Sequence, residues 1–96
     1  FSSVYARQIE ALCRKEDIVI GISTSGDSDS IVQGIRAAQE IGAAAWAWTG
    51  ESGGKLKDIA RQIIRVPSAE TARVQEAHIF IGHWLCEEID RRFAKG

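Results

Sequence analysis

The run Asp17–Ile22 (DIVIGI) passes directly into Ser23–Ser30 (STSGDSDS), and no other junction in the chain constrains its fold as strongly. An apolar, β-branched run without polar alternation suits a strand covered on both faces, the pattern of a parallel sheet. The hydroxyl-rich stretch with Gly26 then leads into Ile31, Ile35 and Ala38 at helical spacing, so strand, loop and helix follow in that order. Gly42 stands where such a helix ends, because glycine accepts the left-handed C-terminal position without steric cost.

The remaining chain repeats the alternation. Before the first strand, Phe1 to Lys15 carries Val4, Tyr5, Ile9, Leu12 and Cys13 at offsets of three and four, as an amphipathic helix does. Ala43 to Gly50 (AAAWAWTG) predicts a second strand, with Trp46 and Trp48 on one side and Ala45, Ala47 and Thr49 on the other. Gly50, Gly53 and Gly54 mark a turn, Lys55 to Arg61 a short helix, and Gln62 to Val66 a third strand stopped by Pro67. A last helix is expected from Ser68 or Thr71 to Phe93. Its middle, Ala77 to Cys86, is apolar almost all round and predicts burial against more than one neighbour. The fold class is therefore α/β, a parallel sheet flanked by helices on both faces. Three strands are few for such a sheet, and the chain has no methionine, so it is expected to be one domain over residues 1–96 and an incomplete portion of a longer protein.

Composition narrows the function classes. Twelve Lys and Arg against 13 Asp and Glu provide no basic footprint for nucleic acid or an anionic membrane. No apolar run approaches the roughly 20 residues of a membrane span. The two cysteines, Cys13 and Cys86, form neither a disulfide framework nor a zinc-finger spacing, and a reducing cytoplasm is the expected compartment.

In open parallel sheets, ligands bind beyond the carboxyl ends of the strands, which is where STSGDS lies. Backbone N–H groups at the start of the following helix, with the hydroxyls of Ser23, Thr24, Ser25 and Ser28, can surround a phosphate. No Walker loop and no GxGxxG fingerprint is present, so a phosphorylated metabolite smaller than a nucleotide is the expected ligand. Capping of the helix by Ser28 or Asp27, worth typically about 1 kcal/mol, explains the same residues nearly as well.

GISTSGDS, then TGESGGKL, then IRVPSAETARVQEAHIFIGHWLCEEID resembles the sugar isomerase (SIS) superfamily, and within it the phosphoheptose isomerases, over nearly the whole chain and in the same order. The resemblance implies an SIS-type, flavodoxin-like sheet and a phosphate cradle of Ser23, Thr24, Ser25 and Ser28. It implies zinc ligation by Gln75 and His83, with a His and a Glu from an upstream helix completing the set. It further implies a ketose–aldose isomerisation of sedoheptulose 7-phosphate through an enediol, with His83 as base or acid, in a cytoplasmic homotetramer that serves cell-surface heptose synthesis. Spacing alone does not nominate that metal site. Gln75 and His83 are separated by about 12 Å of helical rise and roughly 80° of direction.

His83 favours the enzyme lineage, because the related subgroup that binds the replication initiator typically lacks it. His78 recurs in both and is read as a hydrogen-bonded core residue. Asp27 departs from the Asn usual in the family. A carboxylate about 4 Å from a phosphate costs about 1 kcal/mol in a water-like dielectric unless it points away, so on charge alone Asp27→Asn is expected to tighten binding. The alternative from another class is a non-catalytic SIS module that binds a sugar phosphate or a protein partner such as the replication initiator. Trp46 and Trp48 are expected to be core packing, Lys55 and Lys57 to solvate the short helix, and Glu87, Glu88, Asp90, Arg91 and Arg92 to form an exposed end with modest ion pairs. Cys86, inside an apolar turn, is expected to be inert.

Overall fold

A computed structural model describes residues 4–95. Its elements are α1 (Val4–Leu12), β1 (Ile18–Ile22), α2 (Asp29–Ile41), β2 (Ala44–Thr49), α3 (Leu56–Ile59), β3 (Gln62–Arg65) and α4 (Thr71–Lys95). The strands form one parallel sheet in the order β1-β2-β3. Ile18 is registered with Ala44 and Ile22 with Trp48, while Trp46 pairs with Gln62 and Thr49 with Arg65. All three strands thus end together, and the loops leaving β1 and β2 emerge side by side.

Period-two alternation in β2 divides the molecule. Ala45 and Ala47, both fully buried, pack with Val32, Ile35 and Ala38 of α2 and Leu56 of α3. These small strand residues let α2 lie close to the sheet, and a side chain at Gly21 would meet Ile31 and Ile35. The opposite face carries Trp48, against which Gly82 of α4 packs, its Cβ position 3.8 Å from the indole. Helices therefore cover both faces. Gly42 ends α2 at φ 94°, and its amide reaches the carbonyls of Ala38 and Gln39. Ile35 is 1% exposed at the centre of the main core. Ile35→Ala is expected to cost about 2–5 kcal/mol, read as a lower urea midpoint with an unchanged slope.

Two expectations from periodicity are corrected. The first helix stops at Leu12 instead of reaching Lys15, residues 1–3 lie outside the described residues, and of its apolar positions Val4 and Leu12 are exposed while Ile9 packs on the core. The second concerns α4. Val74 and His78 are buried, but Ile79, Phe80 and Trp84 face solvent, as do Ile89 and Phe93. Only one stripe of α4 meets the sheet, because three strands are too narrow a surface to cover a helix of 25 residues. Cys86 is accordingly exposed instead of enclosed. The exposed helix end does form the expected pairs, with Glu88 meeting Arg91 and Arg92. No helix among the described residues is long and apolar enough to cross a membrane.

Candidate functional site

The site begins with how the β1–α2 loop spends its hydrogen bonds. The carbonyls of Ser23 to Gly26 are turned to the protein. The carbonyl of Ser23 takes the Gly26 N–H at 3.1 Å, that of Thr24 takes the Gly50 N–H at 2.9 Å, and that of Gly26 takes the Leu56 N–H at 3.1 Å. Ser52 Oγ donates to the Ser25 carbonyl at 3.3 Å. Three donors are left over. Among the described residues, the backbone N–H groups of Thr24, Ser25 and Ser28 meet no acceptor. A loop with the carbonyls of Ser23 to Gly26 bonded and the amides of Thr24, Ser25 and Ser28 free, at the entry of a 13-residue helix, has the polarity that suits an anion.

The four hydroxyls take different places. Ser23 is buried, and its Oγ accepts from the Gly26 N–H at 3.1 Å, so it shapes the loop from beneath. Ser25 Oγ accepts from the Asp27 N–H at 3.1 Å. Ser28 occupies the N-cap position of α2 without making a capping bond, its Oγ lying 3.3 Å from that of Ser30. Capping by Ser28 is thus not what this serine does. Asp27 does not cap α2 either. Its Oδ1 accepts the backbone N–H of Lys55 at 2.8 Å, across the turn that follows β2. Gly26 holds φ at 74°, and a methyl there would overlap the carbonyl of Gly53.

Two cavities meet at Thr24. The larger, of about 640 Å³, runs between the ends of β1 and β2 and the first turns of α4, and it brings Thr24, Gln75, His78 and His83 together with Ile22 and Trp48 as apolar walls. Gln75 and His83 are both exposed along it, so the helix presents both to one space despite their angular separation. The second, of about 430 Å³, extends from Thr24 and Ser25 to Ser52, Ser68 and Thr71. Ser23 and Ser28 line neither cavity.

His78 is the buried, hydrogen-bonded residue expected from its place in the helix. It is 4% exposed, and its Nε2 lies 3.1 Å from the Thr49 carbonyl, so Nε2 carries the proton and donates. The same carbonyl accepts the Val66 N–H, which ties α4 to β3 at the floor of the larger cavity. Trp48 is core, with its ring centroid 6.2 Å from that of His78, whereas Trp46 is half-buried. That His78 also borders the cavity was not legible from its apolar surroundings. The hydroxyls of Ser52 and Ser68 were also overlooked, although both follow strand ends, where the rule that found Ser23–Ser28 applies equally.

As metal donors, Gln75 offers an amide oxygen and His83 an imidazole nitrogen, two of the four that a tetrahedral zinc site uses. Among the described residues, no group of three or more His, Cys, Asp and Glu is placed to hold an ion. Gln75 and His83 thus open onto one cavity, with donor atoms of a kind a zinc ion accepts.

In sequence and fold the chain is similar to known phosphoheptose isomerases. Phosphoheptose isomerase of Aquifex aeolicus is 47% identical over 90 residues, covering 94% of this chain and 47% of that protein. That of Roseiflexus is 50% identical over 91 residues, covering 95% and 46%. The solved structure of a phosphoheptose isomerase from Francisella tularensis superposes with a TM-score of 0.91 at 39% identity, over 95% of this chain and 49% of that one. One from Neisseria gonorrhoeae superposes at 0.89 and 38% identity, over 93% and 51%. The chain spans about half the length of the relatives it matches. The SIS domain family model matches residues 1–50, and on that match, carrying the free-amide loop after β1, the chain belongs to the SIS domain family.

Proposed function

We propose that this chain is part of a phosphoheptose isomerase that converts sedoheptulose 7-phosphate to D-glycero-D-manno-heptose 7-phosphate. The observation that carries the reading is the larger cavity, which opens beside the anion-suited loop at Thr24 and holds Gln75 and His83 at its other wall. A phosphate on the free amides of Thr24, Ser25 and Ser28 would leave the carbonyl end of the sugar directed along α4.

The reaction moves one proton from C1 of the ketose to C2, and a second from the C1 hydroxyl to the C2 oxygen, through an enediol. His83 is the base or acid of this transfer, and it can move the proton only at a ring nitrogen that is not on the metal. Gln75 and His83 are the residues that would hold zinc, and the ion when bound supplies polarisation of the carbonyl oxygen. Thr24 lines the cavity, with Trp48 and Ile22 as its apolar walls.

The exposed apolar side chains Ile79, Phe80, Trp84, Ile89 and Phe93 support burial of α4 in an assembly, which we assign as a homotetramer. A cytoplasmic location and a place in heptose synthesis for lipopolysaccharide accompany the same reading. A non-catalytic SIS module is the second reading, favoured by Asp27 at a position where the family usually has Asn.

A single assay separates the two. A protein containing this chain is mixed with sedoheptulose 7-phosphate, aldose formation is followed by NMR, and zinc is measured on the same sample. Conversion with about one zinc per site is expected, while the 96-residue chain alone is expected to bind the ester and turn over little or nothing. Binding without conversion by the zinc-loaded protein selects the module instead.

A further inference from the structure

Four bonds join the β1–α2 loop to the loop that follows β2, and they take consecutive residues. The Thr24 carbonyl accepts from the Gly50 N–H, the Ser25 carbonyl from Ser52 Oγ, the Gly26 carbonyl from the Leu56 N–H, and Asp27 Oδ1 from the Lys55 N–H. On the side of the β1–α2 loop, the first three use backbone carbonyls that any residue supplies. The fourth alone depends on a side chain. At 2.8 Å it has the length of a charge-assisted bond, the stronger kind.

We propose that Asp27 is a positioning residue: its carboxylate locks the two loops together and so holds the amides of Thr24, Ser25 and Ser28 in one anion-accepting set. The inference rests on the phosphate reading of that loop. Asp27 is the last residue before the N-cap Ser28, so the bond to Lys55 sets how the loop enters α2. Its Oδ1 is occupied by a donor from the neighbouring loop, which directs that oxygen's lone pairs to protein instead of to a bound anion. This reverses the charge-only expectation. If Asp27 acted merely as a nearby negative charge, Asp27→Asn and Asp27→Ala would tighten binding alike. If it acts as the lock, Asn retains the acceptor and Ala loses it.

The experiment titrates inorganic phosphate into the wild-type chain, Asp27→Asn and Asp27→Ala, following the amide resonances of Thr24, Ser25 and Ser28, and measures hydrogen exchange at the Lys55 amide without ligand. Asp27→Asn is expected to bind within about threefold of wild type and to keep Lys55 protected. Asp27→Ala is expected to bind about tenfold more weakly with Lys55 unprotected. Asp27→Ser, whose hydroxyl stops one bond short of the acceptor position, replaces Asp27→Ala if the latter does not fold. Binding by Asp27→Ala equal to or tighter than that of Asp27→Asn overturns the lock, as does an unprotected Lys55 amide in the wild type. Wild-type amides that phosphate leaves unmoved, with Lys55 protected, overturn the anion reading and the positioning role together; loss of the lock alone leaves the anion reading standing.

Discussion

His83→Asn is expected to lower turnover of sedoheptulose 7-phosphate by about 10²–10⁴-fold in a protein containing this chain, the range that one positioned acid–base group typically contributes. The side chain lines the same cavity as Thr24 and Gln75 and is exposed there, so its loss removes the proposed proton carrier and metal ligand together and leaves the fold intact. Asn retains polarity and approximate size but cannot exchange a proton near neutrality. The proposed phosphate site lies elsewhere, in the loop after β1, and affinity for the ester is therefore expected to change by only a few-fold. Measurement of kcat beside a directly determined Kd checks both halves of this statement. A variant retaining more than a tenth of wild-type turnover would remove His83 from the proton path, and an equal loss in kcat and affinity would make it a binding residue instead.

Gly26→Ala carries the second large effect, this time on the fold. Gly26 sits at φ 74°, a conformation that costs a residue with a Cβ roughly 1–2 kcal/mol. The added methyl would also overlap the carbonyl of Gly53 and come within 2.9 Å of the Gly54 nitrogen, both backbone atoms that cannot rotate away. The variant is expected to lose about 2 kcal/mol or more, a fall in Tm of about 8 °C or more for a domain of this size. Phosphate titration of the Thr24 and Ser25 amides should disappear with it, since the two loops can no longer close on one another. A Tm within about 2 °C of wild type would show that the loops do not approach as closely as Gly26 and Gly53 do here.

These two residues differ in how far they could be read in advance. Gly26 was legible as a glycine that permits close backbone approach, because a turn between strand and helix is a local event. Which backbone approaches it was not, since Gly53 lies 27 residues away and only the side-by-side ends of β1 and β2 bring them together. Asp27 shows the same division. Its charge and its place before a helix suggested either a cap or a repulsive neighbour for phosphate, both of which are local answers. Its partner is the Lys55 amide, a long-range one. In α4 the error ran the other way: Ala77–Cys86 read as a stretch buried on several sides, yet Ile79, Phe80 and Trp84 are exposed, because apolar character states a preference for burial and not the surface that will supply it.

By itself the sequence determined the alternation of strands and helices, the parallel class of the sheet and the hydroxyl-rich loop after β1, whereas Gln75 and His83 became candidates only through the family resemblance. Periodicity, β-branching and turn residues act over a few positions and are written directly in the order of amino acids. Only the tertiary structure decided that Gln75 and His83 open onto one cavity beside Thr24, that the carbonyls of Ser23 to Gly26 are bonded while the amides of Thr24, Ser25 and Ser28 stay free, and that Asp27 reaches across to Lys55. Each of these depends on strand register and helix placement, which sum many weak contacts between residues distant in the chain, and no local pattern encodes that sum.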